Sequence, residues 1–222
     1  MCGRFENLIS TEALVKSFRL YRQLQLINAI KDKFPKQYDV RPTNDIMIIK
    51  KSGDEYVIDT MRWGFKLKVN PAMMNSKVEE IIKGRAADYW QKLLDENPCL
   101  IVMNRFFEWK EEKQPAFTPT GRKTTKKVKQ PYEFKFKDKD IFFCAGYYRR
   151  ESDGTYSCTL ITTSGNSVTR NIHPKDRMPV ILDYQTGIDF LNGSIEDKIE
   201  FCLPYPDEMT LTQPCEIPTS EQ

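Results

Sequence analysis

Histidine is nearly absent from this 222-residue chain: His173 is the only one. With one imidazole and no Cys-x-x-Cys spacing, a zinc centre has no ligand set, and neither metal nor cofactor is expected. Paired cysteines are missing too. Cys2, Cys99, Cys144, Cys158, Cys202 and Cys215 are scattered, and Cys99, Cys144 and Cys158 sit in apolar, strand-like runs. That pattern fits reduced core thiols better than a disulfide framework. No apolar run approaches the roughly 20 residues that span a bilayer. No basic segment followed by an apolar stretch opens the chain, so a cytoplasmic protein without a membrane partner is expected. Charge of either sign is not in excess either. Lys and Arg number 34 against 31 Asp and Glu, a net +3, which argues only weakly for an anionic partner. Basic groups clustered in one groove would still hold a few phosphates.

What is present is a globular composition, 40% hydrophobic and 29% charged, long enough to bury a core. Ser10 and Thr11 followed by Glu12 mark a helix start, and the segment through Ile30 is expected to be helical, breaking near Phe34–Pro35. "YDVRPTNDIMIIKK" reads as an extended lead into a strand, and "EYVIDTMRWGFKL" as a second strand region. "SKVEEIIKGRAADYWQKLL" reads as one helix or two. "PCLIVMNRFFEWKEE" reads as one buried strand that turns polar at its end. "PYEFKFKDKDIFFCAGYYRR" has the pattern of a hairpin about Asp138–Asp140. "YSCTLITTSGN" is another strand, and "PVILDYQTGIDFLNG" a strand leading into a short helix. Between Glu111 and Gln130 lie Arg122, Lys123, Lys126, Lys127 and Lys129. This stretch reads first as a solvated hairpin loop and second as a basic finger that touches nucleic acid. The proline-rich tail after Leu203 is expected to be irregular.

The opening "MCGRF" carries the sharpest chemical signal. Methionine is trimmed when a small side chain follows, and loss of Met1 would leave Cys2 with a free α-amine, pKa about 8, beside a thiol, pKa about 8.5. Elsewhere, His173 lies in a polar loop, where an imidazole with a near-neutral pKa moves protons both ways. Glu108, between Phe107 and Trp109, is either a partly desolvated carboxylate suited to acid–base work or the point where a strand reaches solvent. Asn75 precedes a helix, as an N-cap or as an amide that orients a substrate oxygen. Trp63 and Trp109 are either core residues or platforms for unstacked bases.

"MCGRF", "YDVRPT", "MRWGF", "MNSKVEE", "FFEWK", "FCAGYY", "TTSGN" and "IHPKDRMPVIL" occur in this order between residue 2 and about residue 183. In this the chain resembles the SOS-response-associated peptidase (SRAP) family. The resemblance implies an abasic-site sensor acting on single-stranded DNA in the DNA-damage response. After Met1 is removed, Cys2 would form a covalent thiazolidine with the opened sugar. It further implies that Glu108 accepts or orients the amine's proton, that Asn75 holds the sugar or the cysteine backbone, and that His173 helps open the sugar ring. Arg4, Pro42, Trp63, Lys77, Arg85, Trp109 and Arg177 fall where the family holds phosphates and bases. Two departures stand out. Lys77 replaces the family's arginine and loses its bidentate fork. Pro174, Lys175 and Asp176 intervene before Arg177, where the family has a single residue, which puts Arg177's placement in question.

The resulting expectation is a single monomeric α+β domain over residues 2–222. It is mainly antiparallel β and barrel-like, with a few flanking helices and an irregular extension from about residue 204. Its activity would be lyase-like, with possible autopeptidase activity on Met1. The rivals are an N-terminal-nucleophile cysteine peptidase or amidohydrolase acting on a peptide or small amide, and a redox-active thiol protein. The DNA reading expects Trp63 and Trp109 to face solvent; the amide reading expects them buried.

Overall fold

The computed structural model describes residues 3–8, 14, 37–173 and 175–217. Cys2, the break at Phe34–Pro35 and the helix expected from Ser10 to Ile30 lie outside the described residues, except that Leu14 is helical and buried. In chain order the strands are β1 (Phe5–Asn7), β2 (Gln37–Val40), β3 (Asp45–Ser52), β4 (Glu55–Trp63) and β5 (Asn75–Lys77). Two short helices follow, α1 (Val78–Lys83) and α2 (Ala87–Glu96), so the "SKVEEIIKGRAADYWQKLL" segment is a pair. Next come β6 (Pro98–Met103), β7 (Arg105–Phe117), β8 (Lys123–Phe136), β9 (Phe142–Arg150) and β10 (Tyr156–Ser164). The chain continues through α3 (Ser167–Arg170), β11 (Arg177–Pro179), β12 (Ile181–Leu182), α4 (Tyr184–Asn192) and α5 (Ile195–Glu200), and ends in β13 (Thr210–Pro214).

These elements make an α+β fold of two sheets. The smaller sheet runs β13-β8-β7-β1-β2, and the larger runs β11-β10-β4-β3-β6-β9-β12 with β5 added on β10. Pairing is antiparallel except where β10 meets β4 and β5. Because β10 also pairs with β9, the pairings β9–β10–β4–β3–β6 close into a ring. The expected barrel is not a true one, since β4 and β10 share only Ser157↔Arg62 and Cys158↔Trp63.

β6 shows why its residues are uniformly apolar. Cys99, Ile101 and Met103 face a cluster shared with Phe5, Phe106 and Phe134 of the smaller sheet, while Leu100 and Val102 pack with Leu94 of α2 and Phe190 of α4. A strand covered on both faces has no polar alternation to display. Phe106 and Phe134 stack at 4.7 Å in the inter-sheet layer.

Three sequence expectations are corrected here. "PCLIVMNRFFEWKEE" is two strands in two sheets, β6 and β7, turned at Asn104. That side chain accepts from Leu8 N at 2.6 Å and donates to the Asp140 carbonyl at 2.7 Å. The hairpin expected about Asp138–Asp140 does not form. β8 pairs with β7 and β13, and β9 with β6, β10 and β12, because the turn joins the two sheets instead of folding one back. The tail is not irregular throughout, since β13 adds an edge strand to β8 from Thr210↔Phe136 to Pro214↔Tyr132. Edge strands tolerate proline, which has no N–H to give a ladder.

Candidate active site at Glu108 and His173

Glu108 sits well inside β7 rather than at its end, and its side chain is 3% exposed. The reading that the strand has reached solvent there is overturned. It shares the inward face with Phe106, and the polar half of β7 begins beyond it. His173 follows α3, whose N-cap Asn166 accepts from Thr169 N at 2.9 Å and donates to Tyr205 O and Thr210 Oγ1 at 2.8 Å each. The C-terminal segment therefore braces the loop that carries the histidine. Within that loop His173 N donates to Thr169 O at 2.8 Å. The imidazole Nε2 lies 3.1 Å from Glu108 Oε2, with the ring 8% exposed.

Nδ1 of His173 accepts the backbone N–H of Lys175 at 3.0 Å. With Nδ1 an acceptor, the neutral ring carries its proton on Nε2 and donates to Glu108. Burial pushes the imidazole down to about 4, helped by the positive amino terminus and Lys175. The expectation of a near-neutral histidine is corrected: His173 is an uncharged donor at neutral pH. Burial pushes Glu108 the other way, up to about 7, against the pull of the amino terminus and Lys175. The group that titrates at neutral pH is the carboxyl.

The start of the chain runs into this pair. β1 pairs antiparallel with β7 as Glu6↔Arg105 and Phe5↔Phe106, and Phe107 N donates to Arg4 O at 2.9 Å, so the strand's beginning points at Glu108. The cysteines other than Cys2 are poor alternatives. Cys99, Cys144, Cys158 and Cys202 are buried and Cys215 is half-buried. Burial raises the thiols of Cys99, Cys158, Cys202 and Cys215.

A family model described as SOS response associated peptidase (SRAP) matches residues 1–215. The chain belongs to this family. Two curated relatives from Bacillus subtilis (strain 168) bear the name abasic site processing protein. YoqW is 28% identical over 207 residues, covering 89% of this chain and 83% of the relative. YoaM is 28% identical over 227 residues, covering 96% and 90%. The fold recurs in a crystal structure of a protein from Bacteroides thetaiotaomicron, with TM-score 0.74 and 24% identity over 96% of this chain and 92% of that one. It recurs again in a phage-related protein of Bordetella bronchiseptica, with TM-score 0.70 and 20% identity over 96% and 94%.

Not every residue suggested by the SRAP resemblance lies at an accessible surface. Trp63 is fully buried, edge-on to Phe5 at 5.0 Å, so it has no face to offer a base. Instead its Nε1 donates to Met74 O at 2.9 Å, next to Asn75, and its carbonyl accepts Thr43 N at 2.8 Å in the Pro42 turn. Trp63 thus positions two other candidates. Gly64, at φ +108, ends β4 in a conformation open to glycine and leads into the segment before Asn75. Asn75 is not a helix N-cap: α1 is preceded by Lys77, and Asn75 sits half-buried in β5, paired with Leu160. Trp109 is half-buried under the Arg4 guanidinium, 5.8 Å from the ring centroid. The two tryptophans therefore split the test set for them.

Arg4 is held bidentate by Asp39 at 2.5 and 2.6 Å, and Arg41 shares that carboxylate at 2.9 Å. Asp39 escaped the sequence reading, although its i, i+2 spacing to Arg41 at the end of an extended run was the available signal. Arg177, whose placement the insertion after His173 put in question, begins β11. It bonds Glu79 at 2.7 Å and the Thr162 carbonyl, with its side chain 11% exposed. Beside it opens a surface cleft of about 580 Å³ lined by Lys77, Glu79, Glu80, Lys175 and Arg177. Arg85, exposed in the turn between α1 and α2, does not line this cleft. No group of three or more His, Cys, Asp or Glu residues suited to a metal occurs among the described residues. None of the described helices is long and apolar enough to cross a membrane.

The pair has a thermodynamic signature. Glu108 ionises near 4.5 when unfolded and near 7 when folded. Between those values the folded state holds the extra proton, so stability present below pH 4.5 is lost as pH rises through about 7, roughly 3 kcal/mol in all. Glu108→Gln keeps a carbonyl to accept from His173 and carries no buried charge. Thermal denaturation should place its Tm above wild type by about 5 °C near pH 8. The gap should close near pH 5. Equal Tm values at both pH values would mean that Glu108 is not desolvated.

Proposed function

We propose that this chain processes abasic sites in DNA by capturing the lesion on Cys2 once Met1 is removed. The observation that carries the reading is the buried Glu108–His173 pair at the start of β1, within a family whose curated relatives are named for abasic-site processing. An abasic sugar equilibrates with an open aldehyde. The Cys2 α-amine adds to that carbon to give a carbinolamine, which loses water to give an imine. The Cys2 thiol then adds to the imine carbon, the S–C bond forms, and the thiol proton passes to nitrogen, closing a five-membered thiazolidine. Both nucleophiles belong to one residue, so the second step is intramolecular and gains a large effective molarity.

The side chains divide the work. Glu108, titrating near 7, takes a proton from the incoming ammonium and returns one to the departing hydroxyl. His173 stays neutral and holds the carboxylate by its Nε2–H, with its Nδ1 fixed by the Lys175 N–H. Asn75, braced by Trp63, orients the sugar. Lys77, Lys175 and Arg177, with Glu79 and Glu80 among them, line an open cleft for the phosphates, and its openness suits a strand better than the enclosed pocket a small-amide hydrolase needs. The chemistry requires an aldehyde and an accessible lesion, which single-stranded DNA provides.

The test is a denaturing gel. Protein with confirmed Met1 loss is incubated with a single-stranded oligonucleotide carrying an abasic site, or with a tetrahydrofuran analogue that cannot open. A heat-stable shifted band with the first and none with the second is expected. No band with either would set the reading aside in favour of the amide hydrolase.

A further inference from the structure

β7 and β8 extend well beyond the five-stranded sheet as a two-stranded arm. Their register runs unbroken from Lys110↔Gln130 to Phe117↔Lys123, closed by a turn in which Thr118 N donates to Arg122 O at 2.9 Å. The stretch read as a solvated hairpin loop is thus a hairpin paired along its whole length, about 25 Å long at the usual rise of a strand.

Its charge is unlike that of the rest of the chain. From Lys110 to Gln130 there are seven Lys or Arg against two Glu, an excess of five, whereas the whole chain carries +3. The remainder is therefore net negative, and the protein's positive charge is gathered in the arm. Directly opposed residues of a ribbon share a face. On one face lie Glu111↔Lys129, Lys113↔Lys127, Pro115↔Thr125 and Phe117↔Lys123. Four lysines thus line one side, with a single glutamate among them, which bonds Lys127 at 3.1 Å. Lys113 and Lys127 stand directly opposite each other, a like-charge pairing that costs stability in the free protein. Phe117 is 67% exposed at the end of this row. The same face continues down β7 to Trp109, next to Glu108.

We infer that the β7–β8 arm is a second contact surface for DNA, holding the sugar–phosphate backbone that flanks the lesion along the lysine face while Phe117 stacks on a base at its tip. The inference rests on the proposed function. A polyanion relieves the opposed lysines, and the arm is joined by one strand to the residue that handles the lesion. A binder with little net charge gains phosphate affinity by concentrating its cations in one place.

The test uses full-length protein carrying K113Q/K123Q/K127Q/K129Q, and a second variant with the same four lysines changed to arginine. Binding to undamaged DNA is measured against salt on oligonucleotides long enough to run past the arm, with the flank either single-stranded or annealed. For the glutamine variant, affinity at low salt should fall about tenfold or more, and the slope of log affinity against log salt should become shallower by about 3, on the flank the arm holds. The arginine variant should keep both. The flank that loses affinity tells whether the backbone is single-stranded or duplex. Unchanged slope and affinity on both flanks would overturn the inference. Crosslinking to a short oligonucleotide that ends near the lesion should be the same for all three proteins, which also shows that the variants are folded. If wild type failed to crosslink, the function reading would fall, while the salt slopes on undamaged DNA would still decide the arm.

Discussion

A Cys2→Ala variant should bind the abasic aldehyde and then let it go. Once Met1 is removed, the alanine at the new N-terminus still presents an α-amine, so the imine forms. Without a thiol on the adjacent carbon the ring cannot close, and water returns the imine to aldehyde. On a denaturing gel the heat-stable band should disappear, while a band trapped by borohydride should persist. The loss should be essentially complete, because ring closure within one residue is worth about 10⁵ M or more in effective concentration and no external thiol competes with that. Nor can another thiol of the chain step in. Cys99, Cys144, Cys158 and Cys202 are buried, and the half-buried Cys215 has its thiol pushed up by burial. Serine at position 2 should behave closer to alanine than to cysteine, since the oxygen ring is less stable. A heat-stable band that survived in Cys2→Ala would show that the stable link is not the Cys2 thiazolidine.

Much of the fold was legible where a local pattern has one physical cause. β3, β4 and β10 show strand composition bounded by turn residues, and "SKVEEIIKGRAADYWQKLL" carries helical spacing interrupted by Gly84. The failures share a different cause, since each depends on what covers a segment. A single Asn104 in an apolar run gave no sign that the chain changes sheets there, because its role is to bond Leu8 and Asp140, remote in sequence. Trp63 read as a possible platform because burial of a tryptophan is decided by the opposite sheet, here by Phe5. The tail strand was hidden by its prolines, which an edge position accepts. The basic stretch lacks apolar alternation because neither face of the arm is covered. Its ribbon comes chiefly from backbone pairing, with the Lys127–Glu111 bond across it. At the site, Glu108 and His173 were picked singly. Their 3.1 Å contact joins distant parts of the chain. Burial pushes Glu108 up, in line with its aromatic flanks, and pushes His173 down, which its polar loop gave no sign of.

The strand that carries Glu108 is pinned by an ion network whose removal should be strongly destabilising. Arg105, the first residue of β7, bonds Glu6 of β1 on one side and Glu133 of β8 on the other. Those two carboxylates are 5% and 4% exposed, and Glu133 also accepts from Gln213 of β13 at 2.6 Å. One guanidinium thus ties together three strands of the smaller sheet, and Glu133 carries the network on to a fourth. A buried network of this kind adds little over a well-packed apolar substitute, but breaking it by removing one partner is costly. Arg105→Ala leaves two buried carboxylates with no guanidinium between them, and the expected loss is about 3–5 kcal/mol. For a chain of this length that is a Tm drop of about 10 °C or more. The pH dependence gives the cause. In wild type, burial would raise Glu133, but its bonds to Arg105 and Gln213, with the charge of Lys135 at 3.3 Å, hold it below the usual range. Its contribution is present above the unfolded pKa and lost as pH falls through the lower folded one. Without Arg105, burial acts unopposed by that bond, and protonation relieves it. The Tm deficit of Arg105→Ala should therefore be largest near neutral pH and should shrink towards about pH 4. Adding Glu6→Gln and Glu133→Gln to Arg105→Ala should recover most of the loss at neutral pH, because the charges left behind, rather than the missing contacts, make up most of the cost. A deficit that stayed constant from neutral to acid pH, with no recovery in the triple variant, would show that Arg105 acts by packing on Phe107, over which its guanidinium lies at 5.4 Å, and not by charge.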